Sequence, residues 1–357
     1  MTDINSRIEA ARGQLAALEG NIDKILASKK DSNSIRSSGP LPAIRNPPAT
    51  KCRRVLKGHF GKITALHWSG DSRKVVSASQ DGNLLVWNAV TANKVQSISL
   101  KSSYVMSVGM EQTAGNMVAC GGLDNLCTVY KLDRPNMAME MASHDGFISC
   151  CRFLSEQHIL TSSGDSTCIR WDIASGRVLD TFAEHQADTM FLSIRPNDPN
   201  VFLSCSVDRT VKVWDIRSSG KSGSVQTFSG HLGDVNGVDF MPSDGNAFAT
   251  CSEDGTARVW DMRSYQEVAR FGQLKPRDDT MPDVEGFTSI ALSKSGRLLF
   301  CGHSNASIVA FDVLSDRTTP IFALNNAHES HVSCIGVAPN GDGLCSGSWD
   351  FNLKIWA

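Results

Sequence analysis

The sequence predicts an all-β chain, a seven-bladed propeller with four strands to a blade, carried behind an N-terminal coiled-coil α-helix. Three observations predict it. A His-to-Trp frame recurs along residues 51–357, the first 27 residues carry a heptad stripe, and a Pro- and Ser-rich stretch separates the two.

The helix comes first. Its apolar residues fall at Ile4, Ile8, Ala11, Leu15, Leu18, Ile22 and Ile25, in steps of 4, 3, 4, 3, 4 and 3. That is the seam of a coiled coil, with Ile8, Leu15 and Ile22 at a and the other four at d. A helix of this length is marginal alone in water, and Gly13 and Gly20 cost about 1 kcal/mol each. Each Leu or Ile laid against a partner returns roughly 1.5–3 kcal/mol. The stripe therefore needs a second helix, and a second copy of this one would satisfy the same spacing.

Residues 28–50 hold four prolines and five serines, the composition of an extended linker. From Lys51 onward the sequence becomes β-branched and punctuated by Gly and Ser.

Five segments there run from a His to a Trp across 27 to 29 residues: His59 to Trp87, His144 to Trp171, His185 to Trp214, His231 to Trp260, and His328 to Trp356. An Asp stands six residues before each Trp, at Asp81, Asp165, Asp208, Asp254 and Asp350. Two degenerate copies, Asp124 to Tyr130 and Asn305 to Phe311, make seven repeats whose aromatic ends lie 41 to 51 residues apart. This resembles the WD-repeat signature, which implies a β-propeller. In "FATCSEDGTARVWD" the Asp and Gly make the turn between two strands. The buried His needs partners, and the turn Asp is the natural one. A strand Ser such as Ser252 and the Trp indole N–H would complete the network.

A Ser-His-Asp grouping also suits a hydrolase, but a catalytic triad occurs once and beside an oxyanion hole. Here the grouping repeats five times without a G-x-S-x-G elbow, so it reads as structural. The chain stops at the third strand of its last repeat. The strand-like "CRRVLK", residues 52–57, has no partner in its own repeat and is expected to close the ring.

A net charge of −2 and the lack of a basic run argue against a surface built to neutralise nucleic-acid phosphates. No stretch of about 18 apolar residues is present to span a membrane. The 11 cysteines form no CxxC pair and sit mostly in apolar runs, which reads as buried free thiols. Neither a metal site nor a cofactor is expected.

Strand direction alternates within a blade. The loop into the first strand and the turn after the second therefore share one end of the ring. Lys62, Tyr104, Phe147, Asp188, Asp234 and His331 occupy the loop slot, and Gln80, Leu123, Gly164, Val207, Glu253, Ser304 and Trp349 the turn slot. Thr64, Met106, Met190 and Asn236 lie two residues further in. Apolar residues here, rimmed by Lys62, Asp188, Asp234 and Glu253, have the anatomy of a partner surface.

The strings "SASQDGNLLVW", "VACGGLDN", "ISCCRF", "TSSGDSTCIRWDI", "SKSGRLLF" and "GSWDFNLKIW" resemble the β subunit of heterotrimeric G proteins, over nearly the whole chain. The resemblance implies a non-catalytic protein in an obligate dimer with a small prenylated γ subunit, held by the heptad helix. It implies that one propeller face binds the GDP-bound α subunit and engages effectors after receptor-driven exchange for GTP. It also implies a cytoplasmic chain held at the inner face of the plasma membrane through the γ lipid. The α-contacting positions of that family match Lys62, Tyr104, Met106, Leu123, Asn125, Phe147, Asp188, Met190, Asp234, Asn236 and Trp349. Thr64 stands where the animal proteins carry tyrosine, Tyr104 where they carry tryptophan, and Phe147 replaces a tyrosine. The sixth repeat lacks the turn Asp and has a long approach, residues 271–286. A WD-repeat scaffold not coupled to a GTPase is the other reading; it lacks a use for the heptad helix.

Overall fold

The computed structural model describes residues 50–218, 223–274, 285–315 and 318–357, with isolated positions 13, 14, 17, 18, 20 and 44. Of those isolated positions the first five are α-helical, and Leu18 is exposed. The heptad seam as a whole, the linker and the centre of the 271–286 loop lie outside the described residues.

The described residues form seven four-stranded antiparallel sheets. Blade 1 begins at the inner strand Ile63–Trp68, and blades 2 to 7 at Val105–Met110, Ile148–Phe153, Thr189–Ile194, Val235–Phe240, Phe287–Leu292 and Val332–Val337. These strands follow one another round a circle, and Val332–Val337 meets Ile63–Trp68 to shut it. The outer strand of blade 7 is Cys52–Lys57, paired antiparallel with Asn352–Trp356 in the register Leu56 to Leu353. The first and last strands of the ring thus share one sheet, which removes an open seam. Cores lie between blades: Val75 and Trp87 of blade 1 pack with Cys345, Leu353 and Ile355 of blade 7.

Each frame Asp serves two ends. Its Oδ1 accepts the backbone N–H two residues on, at 2.9 Å for Asn83, Thr167, Thr210, Thr256 and Asn352. Asp124 and Asn305 make the same turn to Leu126 and Ser307, at 3.3 and 3.1 Å. The residue after the Asp or Asn has positive φ in all seven turns, yet only Gly82 and Gly255 are glycines; Asn125, Ser166, Arg209, Ala306 and Phe351 fill the rest. The side-chain turn, rather than glycine, imposes the bend.

The other oxygen, Oδ2, takes the His. In blade 4, His185 Nδ1 lies 2.8 Å from Asp208, its Nε2 lies 2.7 Å from Ser204 Oγ, and Trp214 Nε1 donates to that hydroxyl at 2.8 Å. The same chain joins His59 to Asp81, Ser77 and Trp87, and His144 to Asp165, Thr161 and Trp171. His231 meets Asp254, Thr250 and Trp260, and His328 meets Asp350, Ser346 and Trp356. The hydroxyl is therefore Thr250 and not Ser252. Ser252 Oγ sits at the turn and accepts the Asp254 N–H at 3.1 Å, so the imidazole reaches one pleat deeper.

Where the His is lost, its partners change with it. Cys120 and Cys301 stand at the hydroxyl position, and Tyr130 and Phe311 replace the Trp, so no indole N–H is stranded. In blade 2 a cavity of about 30 Å³ remains among Cys120, Asp124, Thr128 and Tyr130, room for one water. Nine of the eleven cysteines are buried. Burial pushes the thiols of Cys151 and Cys334 up to about 12, which keeps them protonated and inert.

A bulge falls on the second residue of every inner strand: Thr64, Met106, Ser149, Met190, Asn236, Thr288 and Ser333. The bulge re-aims that side chain across the seam. Thr64 Oγ1 donates to Val105 O at 2.8 Å, Asn236 Nδ2 to Phe287 O at 2.9 Å, and Ser333 Oγ to Ile63 O at 2.6 Å. Ser149 and Thr288 make the same link to Thr189 and Val332. Met106 and Met190 cannot donate. Their seams are held at the other end of the inner strands, by Arg152 Nη1 to Val108 O at 3.0 Å and by Phe240 N to Ser193 Oγ at 3.2 Å.

Candidate functional site: one end of the ring

The two slots singled out in the sequence meet through the backbone. Gln80 donates its N–H to Lys62 O, Leu123 to Tyr104 O, Gly164 to Phe147 O, Val207 to Asp188 O, Glu253 to Asp234 O, and Trp349 to His331 O, all within 2.9–3.0 Å. Six blades thus present a loop residue and a turn residue side by side at one end. Blade 6 departs: His303 donates to Ser307 O, and its ring lies 4.5 Å from that of Phe287.

Trp349 is the best-braced side chain of this end. Its ring stacks on the His331 imidazole at 4.3 Å and carries the Lys62 ammonium 4.0 Å from its centre, yet it stays 38% exposed. Burial, then the Lys62 charge, lowers the pKa of His331, so the imidazole in the stack is neutral near pH 7. A flat imidazole on one side and an ammonium on the other hold the indole in one orientation, which removes much of the entropy it would lose on binding.

Across the ring, Tyr104 is 59% exposed and Leu123 54%, with Met106 beside them in blade 2. Phe147 and Met190 are half-buried. The Phe147 ring lies over Gly164, where a Cβ would come within 2.3 Å of it. A glycine in that turn slot is therefore what lets the ring lie flat. Asn125, Asp188 and Asp234 are half-buried, while Lys62 and Glu253 are exposed. Asn125 donates its amide to Asp145 O at 3.3 Å. Asn236 is engaged too: its amide makes the bridge to Phe287 O, with its side chain turned to the next blade. Thr64 is engaged in the same way. Both belong to the inter-blade clasp, a use that only the bulge reveals.

The slots missed three exposed apolar residues. Phe60, at 85% exposure, and Leu232 follow frame histidines, and Phe351 follows a frame Asp. Their backbone roles place them on the same loops and turns, since Phe60 N and Leu232 N donate to Asp81 and Asp254 at 2.9 Å. The position after each frame His was the available signal.

The Asp-His-hydroxyl groups do not offer chemistry. Ser77, Ser204, Thr250 and Ser346 are fully buried, and each hydroxyl already accepts an indole N–H. Among the described residues no three His, Cys, Asp or Glu side chains are gathered to hold a metal, and no helix is long and apolar enough to cross a membrane. A shut ring whose Asp-His-hydroxyl-Trp groups are spent within its own blades, with aromatic and aliphatic residues standing out at one end, is a WD-repeat binding platform.

Sequence comparison narrows that class. Residues 41–357 match the family described as G protein beta WD-40 repeat protein. A Nicotiana tabacum protein named guanine nucleotide-binding protein subunit beta-2 is 40% identical over 341 residues, 91% of this chain and 88% of its own length. The corresponding beta subunits of Oryza sativa subsp. japonica and of Zea mays are each 41% identical over 337 residues, 90% of this chain and 87% of theirs. The chain belongs to the G protein beta WD-40 repeat family.

Proposed function

We propose that this chain is the non-catalytic β subunit of a heterotrimeric guanine nucleotide-binding protein. Its ring end binds the α subunit in the GDP state and releases it when GTP reshapes the contacting surface, after which effectors use the same face. Residues 1–27 zip onto a small prenylated γ subunit, whose lipid holds the dimer at the inner face of the plasma membrane. The observation that carries the α-binding reading is Trp349, exposed yet clamped between Lys62 and His331 at the end that also displays Tyr104, Met106 and Leu123. Rigid exposed aromatics with a charged rim are what a hot spot needs.

The test is co-purification of the full chain with partner chains in GDP and in a non-hydrolysable GTP analogue. The reading expects an α subunit in GDP only and a small chain in both. Retention of α regardless of nucleotide, or no small chain, would favour a scaffold not coupled to a GTPase.

A further inference from the structure

The net charge of −2 hides an uneven surface. The closing strand Cys52–Lys57 and the residue before it read KCRRVLK, so the edge of blade 7 carries Lys51, Arg53, Arg54 and Lys57, all exposed. Blade 1 adds a fifth cation. The aliphatic end of Lys94 comes within 3.1 Å of where a Cβ on Gly58 would stand, next to Lys57. Arg54 Nε donates to Val90 O at 3.1 Å, which ties the strand to the neighbouring blade-1 turn.

Among the described residues, no Asp or Glu pairs with any of these five. Arg53 and Arg54 spend donors only on carbonyls, at Ala357 O and at Val90 O and Arg53 O. Five unpaired cations on a chain of net −2 leave about −7 for the rest of it, so the separation is large on the scale of the whole molecule. Apolar residues on the same strands and turn are left partly open: Val55, Val90 and Val95 are 38%, 65% and 56% exposed. Cations with interspersed exposed valines suit an interface that is negative at its surface and apolar just beneath.

We infer that the rim where blade 7 meets blade 1 is a contact for an anionic lipid surface, with Arg53, Arg54, Lys57 and Lys94 facing headgroups and Val55, Val90 and Val95 entering the interface. This would set the orientation of the ring on a membrane. It lies on the outer edge of the ring, where Lys57 pairs with Asn352 beside the turn that carries Phe351, and requires no lipid on any partner.

The experiment is co-sedimentation of the full chain, with an unprenylated small subunit if one is needed for solubility, on phosphatidylcholine vesicles with and without phosphatidylserine. Binding should require phosphatidylserine and fall steeply as salt rises. Each cation removed should weaken it about fivefold, so Lys57→Gln with Lys94→Gln, neither of which bonds the fold, should lose about 25-fold. Val90→Ser with Val95→Ser should weaken it without changing the salt slope. Equal partition on both vesicles, or wild-type binding by the double Lys variant, would overturn the inference, as would binding to a polyglutamate peptide but to neither vesicle. Capture of α in GDP is measured on the same variants and should be unchanged. Vesicle binding without α capture by the wild-type chain would sink the G protein reading and leave this one standing.

Discussion

Replacing Asp254 with Ala probes what the frame Asp does. Its carboxylate accepts from His231 Nδ1, Leu232 N and Thr256 N at 2.9 Å and from Thr256 Oγ1 at 2.6 Å, with Arg258 Nη2 at 3.4 Å. Asp254, Thr256, His231 and Arg258 are all buried. Truncation therefore strands several donors and leaves the Arg258 cation with one carboxylate, Glu267 at 2.8 Å, and the Thr256 hydroxyl at 3.3 Å. Unsatisfied buried groups cost about 1–3 kcal/mol each, and breaking a buried charged network typically costs 3–5 kcal/mol. We expect a loss of at least about 3 kcal/mol, or a fall in Tm of roughly 4–5 °C or more. The control is the same substitution three frames away. Asp124 is exposed and makes only the 3.3 Å turn bond to Leu126 N, because its repeat has no His. Asp124→Ala should cost under about 1 kcal/mol. Thermal melts of the two variants decide the matter. If they drop together within about 2 °C, the stabilisation lies in the turn itself and the four-residue chain is not what holds the blade.

Met106→Thr restores a clasp that blade 2 lacks. A Thr hydroxyl at the bulge should reach Ile148 O as Thr64 reaches Val105 O, raising stability by about 0.5–1.5 kcal/mol while weakening α-GDP binding; no gain in Tm would disprove the clasp. Trp349→Ala should weaken α-GDP binding by about 2 kcal/mol or more in a titration, and an unchanged dissociation constant would remove it from the site. Leu15→Asp with Leu18→Asp should abolish co-purification of the small subunit while the ring still melts cooperatively; a normal complex would refute the coiled-coil reading. Acid should erode stability in two stages. Burial lowers His59, His144 and His231 below 6.5, only partly offset by their Asp partners, so the unfolded chain takes up protons first as pH falls through 6.5. Burial alone would raise Asp81 and Asp350, but hydrogen bonds outweigh it and hold both below 3.8, Asp350 at about 2, so their contribution is lost below 3.8. Asp239 runs the other way: burial raises it to about 6, so it stabilises at acid pH and loses that effect as pH rises through 6. Asp239→Asn should therefore make the loss between pH 6.5 and 3.8 steeper, and a flatter profile would contradict the assignment.

Much of the ring was legible because each repeat restates the same local chemistry. An Asp six residues before an aromatic specifies an Asx turn wherever it occurs, and seven such turns at even spacing admit few arrangements besides a propeller. The pairing of loop and turn slots followed from strand alternation alone, and the backbone bonds from Gln80 to Lys62 and from Trp349 to His331 realise it. The hydroxyl partner was misplaced at Ser252 because Thr250 and Ser252 share one strand face, and how deep the imidazole reaches is a matter of packing.

By itself, then, the sequence determined the number of blades, their order, and which residues crowd one end, since these depend on period and alternation, which are local. Only the tertiary structure decided what those side chains do there. Asn236 and Thr64 turn away to bridge blades because a bulge rotates them, Lys62 and His331 come from different blades to clamp Trp349, and Lys94 joins the closing strand to make one basic rim. All of these contacts except the His331–Trp349 stack, which lies within blade 7, span a seam between blades, and a seam exists only once the ring has closed.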